Sequence, residues 1–316
     1  MAGEREKEKI FGFGTAALDF RIRTAELGSD YRDKLLARKI NVLGGGAVGN
    51  CLVQASRLGG KTVWLGKLGK DWIGEKIVDQ FIEQGVDCSN VIQDPSLCSP
   101  FNVAVYAGKS GRRIGGFLLP NSLNRLNRAE AVQLASSVRS NSWVIVEVGE
   151  IPLRTTAAFC KAVKERRGKV AIDVDLDPIK QCRGNERFFR EICASSDLLI
   201  PNRKAISSIY PDLDPAQSAE RMGSEFKTRT VVTAGRDGAY YYRPDRDGGV
   251  CHQRPFDYEV VDTVGAGDAF HGGLVFGLSA GMSLGKSVEL GARCGALNCG
   301  SFGARDGMAT YEEISI

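Results

Sequence analysis

Residues 142–175 read SWVIVEVGEIPLRTTAAFCKAVKERRGKVAIDVD. A short β-branched apolar run (SWVIVEVGE) leads into a helical pattern (TTAAFCKAVKERR) and then into a second apolar run (KVAIDVD). Runs of this kind suit strands buried on both faces, and a helix between two of them is the unit of a parallel sheet. The same alternation extends outward in both directions. Before it lie TVWLGKLG (62–69) and the helical EKIVDQFIEQG (75–85), with Ile77, Val78, Phe81 and Ile82 on one predicted face; after it lie DLLIPN (197–202) and TVVTAG (230–235). The fold class is therefore α/β, with helices covering a mainly parallel sheet.

Two regions break the alternation. Leu18, Phe20 and Ile22 alternate with polar neighbours, as do residues 102–106, and neither region is followed at once by a helix. They predict half-buried strands of a small second sheet covering a cleft, drawn from about 15–43 and 99–120. No repeat or Pro/Ser-rich linker divides the chain, so one domain over 8–316 is expected.

The 316 residues are 43% hydrophobic and 25% charged, an ordinary globular composition. A formal charge of +4, spread along the chain, lacks the footprint of a nucleic-acid binder. The opening MAGEREKEKI has no apolar segment, and nowhere do about 18 apolar residues run together as a membrane span requires, so a cytoplasmic enzyme is expected. The nine cysteines form no Cys-x-x-Cys pair and there are only two histidines, which suits reduced thiols and argues against a metal-ligand set.

Three glycine-rich segments compete for the function. GFGTAALDF (12–20) has dinucleotide-loop spacing, but the strand-like alternation after it fails the helix that a dinucleotide site needs, and leaves Asp19 projecting from a strand. NVLGGGAVGN (41–50) is followed by a helical CLVQASRLG, yet Lys67 stands where a ribose-binding acid should be. Its glycines instead suggest close backbone approach to some ligand, and Asn50 either reads a ligand hydroxyl or caps the helix.

The third segment, DTVGAGDAFHGGLVFGLSAG (262–281), runs from a loop into a strongly apolar helix. Gly265, Ala266 and Gly267 put unsatisfied N–H groups at a positive helix start, an anion hole suited to phosphate. No Gly-Lys-Ser/Thr follows; instead Asp268 occupies the first turn. A carboxylate beside a polyanion is repulsive unless it has a task, and taking a proton from an attacking hydroxyl is the task available. The alternative is that Asp268 only caps the helix.

DTVGAGDAF resembles the C-terminal signature of the ribokinase-like (PfkB-type) carbohydrate kinases, and LGGGAVGN resembles their N-terminal Gly-Gly…Asn motif, in the same order and at similar separation. The resemblance covers about 10–307. It implies a three-layer α/β/α fold with a small β-sheet lid, ATP and Mg2+ with a monovalent cation such as K+ as a further ion, a small sugar substrate, and a homodimer through the lid. By resemblance Asp268 is the catalytic base and Gly265, Ala266 and Gly267 the anion hole. Asp19, Gly45, Gly46 and Asn50 resemble sugar contacts, as does Glu150 in VEVGEIPL. Asn202, Thr233, Gly235 and Gly238 resemble nucleotide contacts, while Asp262 with Thr263 resembles a cation or nucleotide contact.

Two positions depart from the pattern. In PNRKA, Asn202 matches the family's Asn-x-x-Glu motif but Ala205 replaces its Glu; and Ala292 stands near where relatives place an adenine-side Asn, leaving apolar walls around Cys294 and Leu297. Among other polar residues, His271 is expected to line the cleft and His252 to lie on the surface. DVDLDP (173–178) gathers carboxylates at a strand end, and Arg112, Arg113 and Arg125 could face an anionic substrate or solvent. A nucleoside kinase, using Phe101, Tyr106 and Phe117 for stacking, and a catalytically silent ligand-binding relative, suggested by Ala205, stay open as alternatives.

Overall fold

The structure is a computed structural model that describes residues 8–24, 37–107, 112–118 (backbone only), 121–174, 185–244 and 249–314. Along the chain, β1 (Lys9–Phe13), β2 (Ala17–Thr24) and β3 (Ala37–Gly45) lead into helix α1 (Ala47–Arg57). Strands β4 (Lys61–Leu65) and β5 (Lys67–Gly69) lead into α2 (Trp72–Glu83). After β6 (Val86–Asp87), β7 (Ile92–Asp94), β8 (Phe101–Ala107) and β9 (Arg112–Leu118) comes α3 (Arg128–Ala135). Strand and helix then alternate through β10 (Trp143–Glu147), α4 (Leu153–Glu165), β11 (Lys169–Val174), α5 (Glu186–Ala194) and β12 (Leu198–Pro201). Helices α6 (Arg203–Ile209) and α7 (Pro215–Phe226) precede β13 (Arg229–Thr233), β14 (Ala239–Tyr242) and β15 (Cys251–Gln253). Helices α8 (Ala266–Ser279), α9 (Leu284–Asn298) and the short α10 (Tyr311–Ile314) follow.

The main sheet has the order β15-β14-β13-β12-β11-β10-β1-β4-β6, parallel from β13 to β6 with an antiparallel edge of β14 and β15. Its two faces can be told apart at β1, where successive side chains must point opposite ways. A Cβ built on Gly12 would press on Val48 and Leu52 of α1, and one built on Gly60 would touch both Ile10 and Phe276 of α8. Phe13, the next residue along, stacks on Phe159 of α4 with ring centroids 3.8 Å apart. Helices α1 and α8 therefore cover one face and α4 the other, the three-layer arrangement expected of buried parallel strands.

The small sheet has the order β3-β2-β8-β9, with β2 parallel to β8 and the outer pairs antiparallel. Register sets Asp19 beside Asn102, and the Asn102 amide donates to the Asp19 carboxylate at 2.9 Å. Alternation in β2 is less simple than the sequence suggests, because Arg21 is buried with only 4% of its surface exposed. One expected core position also fails: Ile77 and Phe81 are buried on α2, but Ile82 is 65% exposed because it has rotated past the edge of the stripe facing the sheet.

Phe13 and Phe159 are both fully buried, so deleting the second ring leaves a cavity that the sheet and α4 cannot close. Phe159→Ala should lower the unfolding free energy by about 3–5 kcal/mol. Urea titration checks this, and a loss below about 1 kcal/mol would mean that the interface between α4 and β1 is not tightly packed.

Candidate active site

Parallel strands leave their C-terminal ends as a ligand-binding edge. At that edge stand Thr15 after β1, Glu147 to Glu150 at and after β10, Asp173 in β11, Asn202 after β12 and Thr233 at the end of β13.

Helix α8 begins at this edge. Gly265 is its N-cap with φ 80°, and a Cβ there would overlap the backbone of Ala304, so only glycine fits the turn. The Ala266 N–H donates to Thr263 O at 3.3 Å, which corrects the expectation that all three N–H groups of the hole lack partners. A Cβ on Gly267 would meet nothing within 4 Å, so open space adjoins the first turn. Asp268 sits inside the helix as its third residue rather than capping it, and its Oδ2 accepts from Asn50 Nδ2 at 2.6 Å.

Asn50 is likewise no cap, because it lies inside α1, whose N-cap is Gly46. Its Oδ1 accepts from Arg305 Nε at 2.7 Å, and Arg305 Nη2 donates to Gly45 O at 2.9 Å. The guanidinium lies over the Phe81 ring, 5.4 Å from its centroid. Burial lowers the Arg305 pKa to about 10 against the pull of Asp19 and Asp268, leaving the group charged at neutral pH. The glycines of LGGGAVGN make room for these groups. A side chain on Gly44 would collide with the Arg305 guanidinium, one on Gly45 would meet the Asp19 carboxylate at 2.5 Å, and one on Gly46 (φ 87°) would strike Thr15 O.

A second group of acids lies beside this one. Glu150 is half-buried, its Oε2 accepting from Asn121 Nδ2 at 2.6 Å, and burial raises its pKa. Glu147 is buried, its Oε2 accepts from Thr15 N at 2.7 Å, and its register partner across β10 and β11 is Asp173. Burial, reinforced by the charges of Asp173 and Glu150, pushes Glu147 up to about 8 despite the Thr15 hydrogen bonds.

His271 does not line the cleft as expected. It is buried, and its Nδ1 lies 3.1 Å from Asp173 Oδ2. Cys51 joins them, with ligand-type atoms of all three within 4.8 Å of one another. Burial and the charges of Asp268, Asp173 and Glu147 push the Cys51 thiol well up, so it is a protonated thiol rather than a thiolate. The described cysteines are free thiols.

The expected nucleotide residues form a separate group. Asn202 caps α6 by accepting from Ala205 N at 2.8 Å, and it bridges to Thr233. Gly235 (φ 59°) and Gly238 (φ 83°) bracket a tight turn closed by Gly238 N to Gly235 O at 2.9 Å. Asp262 accepts from Val264 N at 3.1 Å, from Gly303 N at 3.2 Å and from Arg21 Nη1 at 3.4 Å, while Thr263 is exposed. Ala292 and Leu297 are half-buried, but Cys294 is wholly buried, and a Cβ on Gly273 would meet its sulfur at 2.7 Å. The Cys294 side chain therefore packs α9 against α8 and is not itself a surface for a purine, which corrects that expectation for Cys294 alone. Ala205 is also wholly buried, so a Glu there would put a carboxylate into the core.

His252 is exposed as expected, and additionally stacks on Tyr240 with centroids 4.4 Å apart and contacts Asp237 O at 2.8 Å. Arg125 is exposed; the side chains of Arg112, Arg113 and Phe117, and all of Asp175 to Pro178, lie outside the described residues.

The structure thus brings Asp19, Gly45, Asn50 and Asp268 together around Arg305, a residue that sequence reasoning missed. Its partners are 255 and 260 positions away, and no local pattern marks it. Glu147 and Arg21 were missed as well. Glu147 was passed over for Glu150, although its place at the last position of a wholly buried strand was a usable signal.

A three-layer α/β sheet with a small covering sheet, and a carboxylate in the first turn of a glycine-led helix at its ligand-binding edge, is the build of a phosphotransferase. The family model for pfkB family carbohydrate kinases matches residues 7–310, and the chain belongs to that family. It is accordingly a sugar kinase, a phosphotransferase with an alcohol group as acceptor. A ribokinase of Lactococcus lactis is 27% identical over 97% of this chain and 95% of its own length. A 5-dehydro-2-deoxygluconokinase of Clostridium perfringens is 24% identical over 98% of this chain and 93% of its own. In fold, the chain matches the structure of Arabidopsis thaliana ribokinase complexed with ribose and ATP at a TM-score of 0.83, with 18% identity over 98% of each chain.

Glu147 makes the stability of the fold depend on pH. Its folded pKa of about 8 lies above the ordinary 4.5, so between these values the folded state holds a proton that the unfolded chain releases. Stability should fall as pH rises through that window and level off above it. Glu147→Gln removes the effect, and its melting temperature should gain on the parent's from about pH 5 to about pH 8. A gap that stays constant across this range would contradict the assignment.

Proposed function

We propose that this enzyme transfers the γ-phosphoryl group of ATP to a hydroxyl of a small sugar or sugar-like substrate, with Asp268 as the base. The observation that carries this reading is the Asp268 carboxylate, held in the first turn of α8 by the 2.6 Å hydrogen bond from Asn50 and next to open space at Gly267. Asp19, Asn50 and the Gly45–Gly46 backbone hold the acceptor, with Glu150 and its Asn121 partner as a further contact. Asn202, Thr233, Gly235, Gly238, Thr263 and the half-buried Ala292 form the nucleotide side.

In the transfer, Asp268 takes the proton of the acceptor hydroxyl as its oxygen attacks the γ-phosphorus in line; the new O–P bond forms as the bond to the ADP oxygen breaks. The helix start at Gly265 to Gly267 receives the negative charge of the phosphoryl group. Mg2+ would be held mostly by hard oxygens of phosphate and water, with the Asp268 carboxylate as a protein group that could join them, and it would neutralise phosphate charge. With Ala205 in the first turn and no acid anywhere in its sequence RKAISSI, α6 adds no carboxylate to that set. A monovalent cation such as K+ fits poorly at Asp262, where Arg21 already supplies a positive charge at 3.4 Å. Asp262 is better assigned to shaping the loop before α8.

The small sheet is proposed as a lid and as a dimer surface. Its edge strand β3 exposes Ile40 and Val42 at 57% and 43%, apolar groups that an edge strand in solvent ordinarily avoids. Light scattering after gel filtration should give a dimer for the parent and a monomer for the double variant Ile40→Lys, Val42→Lys. A parent that is monomeric at all concentrations removes this proposal.

A positioned base contributes about 100- to 10,000-fold, so Asp268→Asn should reduce kcat by that range while ATP and sugar binding stay near parental levels. The assay is ADP release with ATP and Mg2+ over pentoses, hexoses, sugar acids, sugar phosphates, inositols and nucleosides. Near-parental turnover in the variant would show that Asp268 is not the base, and turnover on nucleosides alone would move the substrate class.

A further inference from the structure

We propose that Arg305 is a positioning residue for phosphoryl transfer, acting through Asn50 to hold the Asp268 carboxylate in its reactive orientation. The inference rests on the reading of Asp268 as the base.

The two ends of a side-chain amide differ only in which is donor and which acceptor, so something must decide how Asn50 faces. Arg305 decides it. Its Nε donates to Asn50 Oδ1 at 2.7 Å, which leaves Nδ2 to donate to Asp268 at 2.6 Å. The reversed amide would set its oxygen against a carboxylate and its NH2 against a guanidinium, two repulsive contacts in place of two attractive ones. With Arg305 present, Asn50 therefore offers Asp268 an N–H and never a lone pair.

The guanidinium has a dedicated seat. Gly44 has no side chain where the guanidinium passes, and a Cβ on Gly49 would lie 3.0 Å from Nη2. Phe81 lies beneath it, and Gly45 O takes a second hydrogen bond that fixes its plane. The loop carrying it is tied down by Arg57, whose Nη1 donates to the carbonyls of Arg305 and Met308, each at 2.8 Å. Such a fork, filled at two points and stacked on a ring, is a task for arginine that lysine cannot copy. The charge also has a role, since Asp19 and Asp268 both face it, and without it two carboxylates would approach one small pocket uncompensated.

The test is steady-state kinetics of Arg305→Ala, Asn50→Ala and the double variant, with Asp268→Asn alongside. Arg305→Ala should lose on the order of 10- to 100-fold in sugar kcat/KM, with the ATP KM within about two-fold of the parent. Added guanidinium at tens of millimolar, well below the molar range that unfolds proteins, should restore at least about five-fold, while sodium at equal ionic strength should restore none. In the Asn50→Ala background, removing Arg305 should cost several-fold less than it does in the parent, because the part of its effect that passes through Asn50 is already lost.

Losses that simply add, or a parental kcat/KM in Arg305→Ala beside an inactive Asp268→Asn, would overturn the proposal while leaving the base assignment standing. An active Asp268→Asn would remove the base assignment and this proposal with it. Should Arg305→Ala fail to fold, Arg305→Lys serves instead. Its ammonium keeps the charge but cannot reach Asn50 Oδ1 and Gly45 O in one plane, so a loss of at least about ten-fold is expected, and full activity would overturn the role.

Discussion

The hydrogen bond between Asn50 and Asp268 joins the first turns of two helices whose sequences are 218 positions apart. For the two turns to meet, α1 and α8 must lie side by side on one face of the sheet. Glycine makes that approach close: a Cβ on Gly272 of α8 would strike Cys51 O and the stem of Gln54 in α1. Both helices also begin at a glycine with positive φ, Gly46 and Gly265, and each glycine lies against backbone that no side chain could approach. Sheet order, helix packing and glycine placement thus converge on one 2.6 Å contact.

Around that contact two arginines offset part of the acidic charge. Arg305 faces Asp19 and Asp268, and Arg21 pairs with Asp262, while His271 Nδ1 lies 3.1 Å from Asp173 Oδ2. Glu147 has no cation beside it in this set, and burial raises its pKa so that it is neutral over much of the physiological range. The cleft edge therefore carries fewer negative charges at neutral pH than a count of its carboxylates suggests.

The lid sheet and the main sheet depend on each other at the cleft. Strand β3 ends in the glycines that start α1, so the strand that places the outer edge of the lid also places Asn50. Asp19 reaches the cleft from β2, steadied by Asn102 of β8 in register beside it. Asp19 thus comes from the small sheet and Asp268 from a helix that covers the main sheet.

The alternation of buried strands and helices, and the loop-to-helix passage at Gly265 to Asp268, were legible from the residues, because they are set by periods of a few positions and by the conformational needs of glycine. The glycine run before α1 was legible as a place of close approach to something, whereas Asp19, Gly45, Gly46 and Asn50 were brought together as one set only by the family resemblance. What approaches was not legible. The chain's own Arg305 and Asp19 fill the space that Gly44 and Gly45 leave, and nothing within ten residues of either glycine announces an arginine from position 305. The burial of His271 against Asp173 and the raised pKa of Glu147 were equally hidden, for a charge's environment is set by neighbours across strands and helices. Local physics therefore determined the elements and the glycine-led turn at Asp268, and only the tertiary structure decided which distant side chains meet there, since hydrogen bonds and desolvation act over a few ångströms of space and are indifferent to separation along the chain.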